Sequence, residues 1–146
     1  YETYGLTPVF VAVEKHLDPA AARLAAQGLE IPHYFLDDAG GAGTIIGALS
    51  RMEAVVSMRL HALIFAAGQG IPLAGVVYDP KVSAFLRYTG QENFTDLRDL
   101  TEENLRSMID RAVAQAGHPE VQAKAVEQRQ ALEGGSVAVA RRLLGL

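Results

Sequence analysis

Residues 53–81, "EAVVSMRLHALIFAAGQGIPLAGVVYDPK", decide the fold. "EAVVSM" (53–58) is a short β-branched apolar run, which reads as a buried strand. "RLHALIFAAGQG" (59–70) follows at helical length and ends on Gly68 or Gly70. "IPLAGVVY" (71–78) is a second buried strand, after which Asp79 and Pro80 form a cap-and-proline helix start. Strand, helix, strand, helix with short links is the pattern of a parallel sheet with crossover helices.

The same alternation extends in both directions. Upstream, "PVFVAV" (8–13) is a strand, and Asp18, Pro19 and Gly28 bound a helix as N-cap, first helical residue and stop. "PHYFL" (32–36) is another strand, ending in Asp37 and Asp38. A glycine-rich loop, 40–43, leads into a short helix through about Met52. Downstream, "KVSAFLRYTG" is a helix, a weak strand lies within 92–97, and residues 101–117 form an amphipathic helix. His118-Pro119 then precedes a polar helix to about Glu133, Gly134-Gly135 a break, and "SVAVARRLLGL" the C-terminus. The expected fold is α/β: one doubly wound, mainly parallel Rossmann-like sheet of about five strands, in a single domain over 1–146.

Composition narrows the function. The chain has 146 residues, 49% hydrophobic and 21% charged, with net charge −4. These are globular proportions, and the interspersed charges advertise no face for nucleic acid. No cysteine is present, which excludes disulfides, thiolate metal sites and cysteine nucleophiles. The four histidines have no metal-ligand spacing, and neither a metal nor a cofactor is expected. The apolar run 60–78 is interrupted by His61, Gln69 and Pro72, so no transmembrane segment is expected. The start at Tyr1, without an initiator Met or a signal-like segment, suggests one part of a longer protein.

In a doubly wound sheet, ligands bind beyond the carboxyl ends of the strands. The segments there are Glu14–His16, Asp37–Gly41, Ser57–His61 and Tyr78–Lys81. If Ser57 caps the third helix, Arg59 and His61 lie in its first turn. If Asp79 caps the fourth, Lys81 lies in that one's first turn. Cations at helix N-termini oppose the helix dipole, and a bound anion would compensate. The plain alternative is a set of solvated loop residues, with Arg59 paired to Glu53 or Asp79. Arg141 and Arg142 read as a solvated helix face, and the 40–43 glycines as a turn. GxSxG, Walker and HExxH patterns are missing.

The residues Ser57, Arg59 and His61, then Gly70, Ile71 and Pro72, then Tyr78, Asp79 and Lys81 resemble the C-terminal signature of polysaccharide pyruvyl transferases. That resemblance implies the C-terminal half of a glycosyltransferase-B-like pair of Rossmann-like halves, with its N-terminal half absent. It implies phosphoenolpyruvate as donor, and a sugar on a cell-surface polysaccharide or lipid-linked glycan precursor as acceptor. The product is a pyruvate ketal. His61 is then the catalytic group. Arg59, Lys81, Leu60 and Ser57 bind substrate, with His16, Tyr78 and Asp79 as secondary candidates. The enzyme would work in the cytoplasm, free or peripherally associated with the inner face of the membrane, and this half alone would be inactive. Two alternatives remain open: a nucleotide-sugar glycosyltransferase, although residues 82–91 carry no ribose-binding acid before Glu92, and a non-catalytic binding module.

Overall fold

Up to residue 116, eleven elements alternate among the described residues of the computed structural model, which describes residues 1–38, 40–116, 127, 134, 141 and 142. They are strands β1 (Val9–Val11), β2 (Tyr34–Leu36), β3 (Val55–Ser57), β4 (Leu73–Val77) and β5 (Phe94–Asp96). The helices are α1 (Asp18–Ala25), α2 (Ala42–Leu49), α3 (Leu60–Gly68), α4 (Pro80–Tyr88) and α5 (Glu102–Ala116), and Leu97–Asp99 forms a 3₁₀ turn. The α/β class and the five parallel strands agree with the sequence. Hydrogen bonding divides those strands into two sheets, β1-β2 and β3-β4-β5, where one sheet is expected. The chain divides likewise into two compact units, residues 1–51 and 52–146. An apolar run announces a strand but not the edge it pairs with, so the division is invisible in the pattern.

The 1–51 unit is built on β1 and β2, in parallel register Val9 to Tyr34 and Val11 to Leu36. Asp18, expected as N-cap of α1, is instead its first helical residue. The cap is Leu17, which makes no side-chain bond. The Asp18 carboxylate turns back and accepts the N–H groups of Val13 (3.0 Å) and Glu14 (2.8 Å), fixing the link from β1 to the helix.

In the 52–146 unit, β4 lies between β3 and β5, with Ser57 opposite Gly75 and Val77 opposite Asp96. All five of its residues are buried, as a central strand covered on both faces requires. The core contains Leu63 and Ala66 of α3, Leu73 of β4, Val82 and Leu86 of α4, and Met108 and Ala112 of α5. α3 ends in a Schellman closure: Ile71 N–H bonds Ala66 O at 3.0 Å and Gly70 N–H bonds Ala67 O at 3.1 Å. Gly70 has φ +73°, a conformation that a side chain at this position would resist.

Asn93 joins α5 to the sheet. Its buried Nδ2 donates to Leu73 O and Met108 O, both at 2.8 Å. Asn93→Leu should lower unfolding free energy by about 1–3 kcal/mol, because buried carbonyls lose their donor. Urea unfolding would measure it, and an unchanged midpoint would remove Asn93 from the account.

The expected His118-Pro119 separation, the polar helix and the C-terminal segment lie largely outside the described residues. Of the described positions there, Gly134 is helical where a break is expected, and a single helical glycine costs only about 1 kcal/mol. Arg141 and Arg142 are helical and exposed, in keeping with a solvated face.

Candidate anion site at the carboxyl edge of the β3–β5 sheet

α3 begins three residues after β3 ends, and α4 begins three residues after β4 ends. Because β3 and β4 are neighbouring parallel strands, both helix starts lie at one sheet edge. His61 and Lys81 each occupy the second helical position, and both are exposed. Adjacent strands are about 4.8 Å apart, so the two side chains rise from neighbouring, equivalent places.

The two helix starts differ in their capping. Ser57 does not cap α3. Its hydroxyl accepts the Arg59 N–H at 3.0 Å, and Arg59 itself is the N-cap, in extended conformation (φ −79°, ψ 118°). Arg59 therefore stands at the threshold of α3, whereas a Ser57 cap would have placed it inside the first turn. A side-chain cap placed two residues early cannot be told by spacing from a true N-cap. The N-cap Arg59 makes no side-chain capping bond, and no acid lies in the first turn of α3. The opening N–H groups of a helix have no intrahelical acceptor, so this end can offer donors to an anion.

At α4 the expectation holds. Asp79 is the N-cap and accepts the Lys81 N–H at 2.9 Å, while its other oxygen lies 3.6 Å from Lys81 Nζ. Lys81 Nζ also stands 6.0 Å from the centre of the exposed Tyr78 ring. The N-terminus of α4 is thus capped by its own carboxylate, whereas the N-cap residue of α3 makes no such side-chain bond. The His61 ring leans toward Phe65 one turn on, with centroids 6.3 Å apart. Leu60 opens the helix half-buried, anchoring the turn on which His61 sits.

His16 lies in the 1–51 unit, in the exposed turn before α1, where its N–H donates to Glu14 Oε1 at 3.1 Å. In the same unit Asp37 pairs with Arg23, whose guanidinium lies 3.6 Å over the Phe35 ring. Asp38 accepts the Gly40 N–H at 2.9 Å and pairs with Lys15 at 3.4 Å. Those two contacts hold its carboxyl below the usual range, the backbone bond having the larger effect.

The sequence reading missed two residues at the edge of the 52–146 unit, Asp96 and Arg98. Only a weak strand is legible at 92–97, and its end was needed to place them. Arg98 bonds hold the Asp96 carboxyl below its usual range, the side-chain bond first and the backbone N–H second. Among the described residues no group of three or more histidines and acids is placed to hold a metal ion. No described helix is long and apolar enough to cross a membrane.

The family model for polysaccharide pyruvyl transferase matches residues 1–80, just over half of the chain. The chain belongs to the polysaccharide pyruvyl transferase family. The match includes every candidate named from sequence except Lys81, which directly follows its last residue. No curated protein and no solved structure matches. Membership in a pyruvyl transferase family makes the chain's activity class a transferase acting on polysaccharide, with a glycan acceptor.

Proposed function

We propose that the carboxyl edge of the β3–β5 sheet binds phosphoenolpyruvate, as the donor site of an enzyme forming a pyruvate ketal on a glycan or lipid-linked glycan precursor. A second, glycosyltransferase-B-like half would complete the cleft, and the reaction would run in the cytoplasm. The observation that carries this reading is the placement of His61 and Lys81 at the same position of adjacent helices, beside a helix start whose N-cap makes no side-chain capping bond. Phosphoenolpyruvate bears a carboxylate and a phosphate, so it demands several cationic or N–H partners. Arg59 can grip one oxyanion with two parallel bonds, and Lys81 supplies a compact positive charge. The α3 N–H groups of Leu60 and His61 would complete the cradle, with Ser57 fixing the backbone that presents them.

Ketal formation sets the chemical demands. The methylene carbon gains a proton and becomes methyl. The central carbon forms two bonds to sugar oxygens, and its bond to the phosphate oxygen breaks. Of the two hydroxyl protons lost, one balances the methyl and the other leaves with inorganic phosphate. An imidazole can take or give such protons near neutrality, which suits His61 to that role. Tyr78 and Asp79, beside the Lys81 ammonium, would bias its position without fixing it.

Titration of the full chain with phosphoenolpyruvate and, separately, a uridine diphosphate sugar tests this reading. Phosphoenolpyruvate should bind preferentially, and Lys81→Ala should weaken it about tenfold or more, as the loss of a charge-assisted contact does. Preference for the uridine ligand, unchanged by His61→Ala and Lys81→Ala, would overturn it in favour of a glycosyltransferase.

A further inference from the structure

Strand β5 brings an additional charged pair to the edge that carries His61 and Lys81. Asp96 ends β5 directly opposite Val77, and its Oδ1 accepts the Arg98 N–H at 3.0 Å. The guanidinium folds back onto the same carboxylate, Nε to Oδ1 at 3.1 Å and Nη2 to Oδ2 at 3.3 Å. The end of β4 is built alike: Asp79 accepts the Lys81 N–H and draws in the Lys81 ammonium. Near the ends of two neighbouring strands, an aspartate accepts the N–H of the cation two residues on: Asp96 at the last position of β5, and Asp79 two residues past the end of β4.

Arg98 differs from a residue locked in a structural pair. Its side chain is 88% exposed, and water and salt screen such a pair so that it holds weakly. Asp96 engages Nε–H and one N–H of Nη2, leaving three of the five guanidinium donors turned away from it. A planar fork of this kind matches a carboxylate or a phosphate with two parallel bonds.

We propose that Arg98 is a second anion-binding arm of this edge, released from Asp96 to grip an oxyanion of the ligand held at His61 and Lys81. The inference rests on the phosphoenolpyruvate reading and deepens it. A ligand with two anionic groups needs cations from more than one strand, and β5 supplies the next one across. Asp96 then acts as a competing internal anion: it keeps the arm folded when no ligand is bound and opposes binding. A purely local role, with Asp96 and Arg98 only shaping the turn after β5, predicts different behaviour on substitution.

Calorimetric titration of the full chain with phosphoenolpyruvate, and in parallel with inorganic phosphate, separates the two. Arg98→Ala should weaken phosphoenolpyruvate binding about ten- to hundredfold, the range for a hydrogen-bonded charge. Asp96→Asn keeps a side-chain oxygen for the Arg98 N–H but frees the fork, and should tighten binding up to about fivefold. Arg87→Ala, at the far end of α4, should change neither and controls for bulk charge. Thermal melts verify that the variants fold. If the unsubstituted chain binds phosphoenolpyruvate and both edge substitutions leave affinity unchanged, or both weaken it, the inference fails while the donor reading stands. If the chain does not bind phosphoenolpyruvate, the donor reading fails and the phosphate titration decides alone: binding that needs Arg98 supports the arm, and any other result overturns it.

Discussion

Replacing His61 with Ala is expected to slow pyruvyl transfer by about 10²–10⁴-fold, the contribution of a positioned proton-transfer group. Donor binding should fall by much less, because the other proposed donor contacts, Arg59, Lys81 and the α3 N–H groups, remain. The fold should not suffer. His61 is exposed on α3, its ring makes a tilted approach to Phe65, and alanine is the better helix former. His61→Gln sharpens the test by keeping a hydrogen-bonding side chain that cannot shuttle a proton. It should bind phosphoenolpyruvate like the parent and stay as slow as the alanine variant. The measurement is inorganic phosphate release in the full enzyme, alongside donor affinity. If rate and affinity fall together, in proportion, His61 is a binding group and the assignment of proton transfer is wrong.

The second large effect concerns stability and lies beneath the site. A Cβ on Gly75 would stand 2.6 Å from Leu86 Cδ1 and 3.3 Å from Phe94 Cβ, so α4 packs where a side chain would be. Leu86 is fully buried and cannot swing into solvent. Gly75→Ala should therefore destabilise by about 1–3 kcal/mol through overpacking. Leu86→Ala should cost about 2–5 kcal/mol through lost contacts and a cavity. The double variant should cost less than the two together, because the new methyl enters the space that Leu86 leaves. A coupling of about 0.5–3 kcal/mol is expected for residues in contact. Urea unfolding of the four proteins measures it, and strict additivity would sink the close approach of α4 to β4. α4 also carries Lys81 at its start, so the same contact seats the helix from which that side chain rises.

The parts of the fold that depend on local chemistry were legible in the sequence. Pro80 after Asp79 marked the start of α4 to the residue, because a cap and a proline act on their own turn. The apolar runs 53–58 and 71–78 showed as strands, which form as β3 and β4 inside those bounds, and a stop at Gly68 or Gly70 closed the helix between them. What escaped depends on partners. Nothing in "PVFVAV" says that β1 pairs with β2 in a separate sheet, since an apolar strand has two edges and no label on either. Asp18 looked like a cap but serves the preceding loop, because an aspartate can accept N–H groups on either side. The candidate site divided in the same way. The positions of His61 and Lys81 at the starts of α3 and α4 were legible because the crossover places them, and the match of residues 1–80 carries the family, while their roles belong to the proposal. Arg98 was not, because β5 is only three residues long and half-buried, too weak a pattern to fix where it ends.

The equivalence of His61 and Lys81 makes the stretch between them a ruler. Adding one residue inside α3 would turn everything before it by about 100° relative to the strand that follows. Adding one inside β4 would send the next side chain to the opposite face. Amino-acid exchanges in this interval can be absorbed so long as the core stays filled, but changes in its length cannot. In this segment the quantity under constraint is therefore chain length, more than the identity of most residues in it.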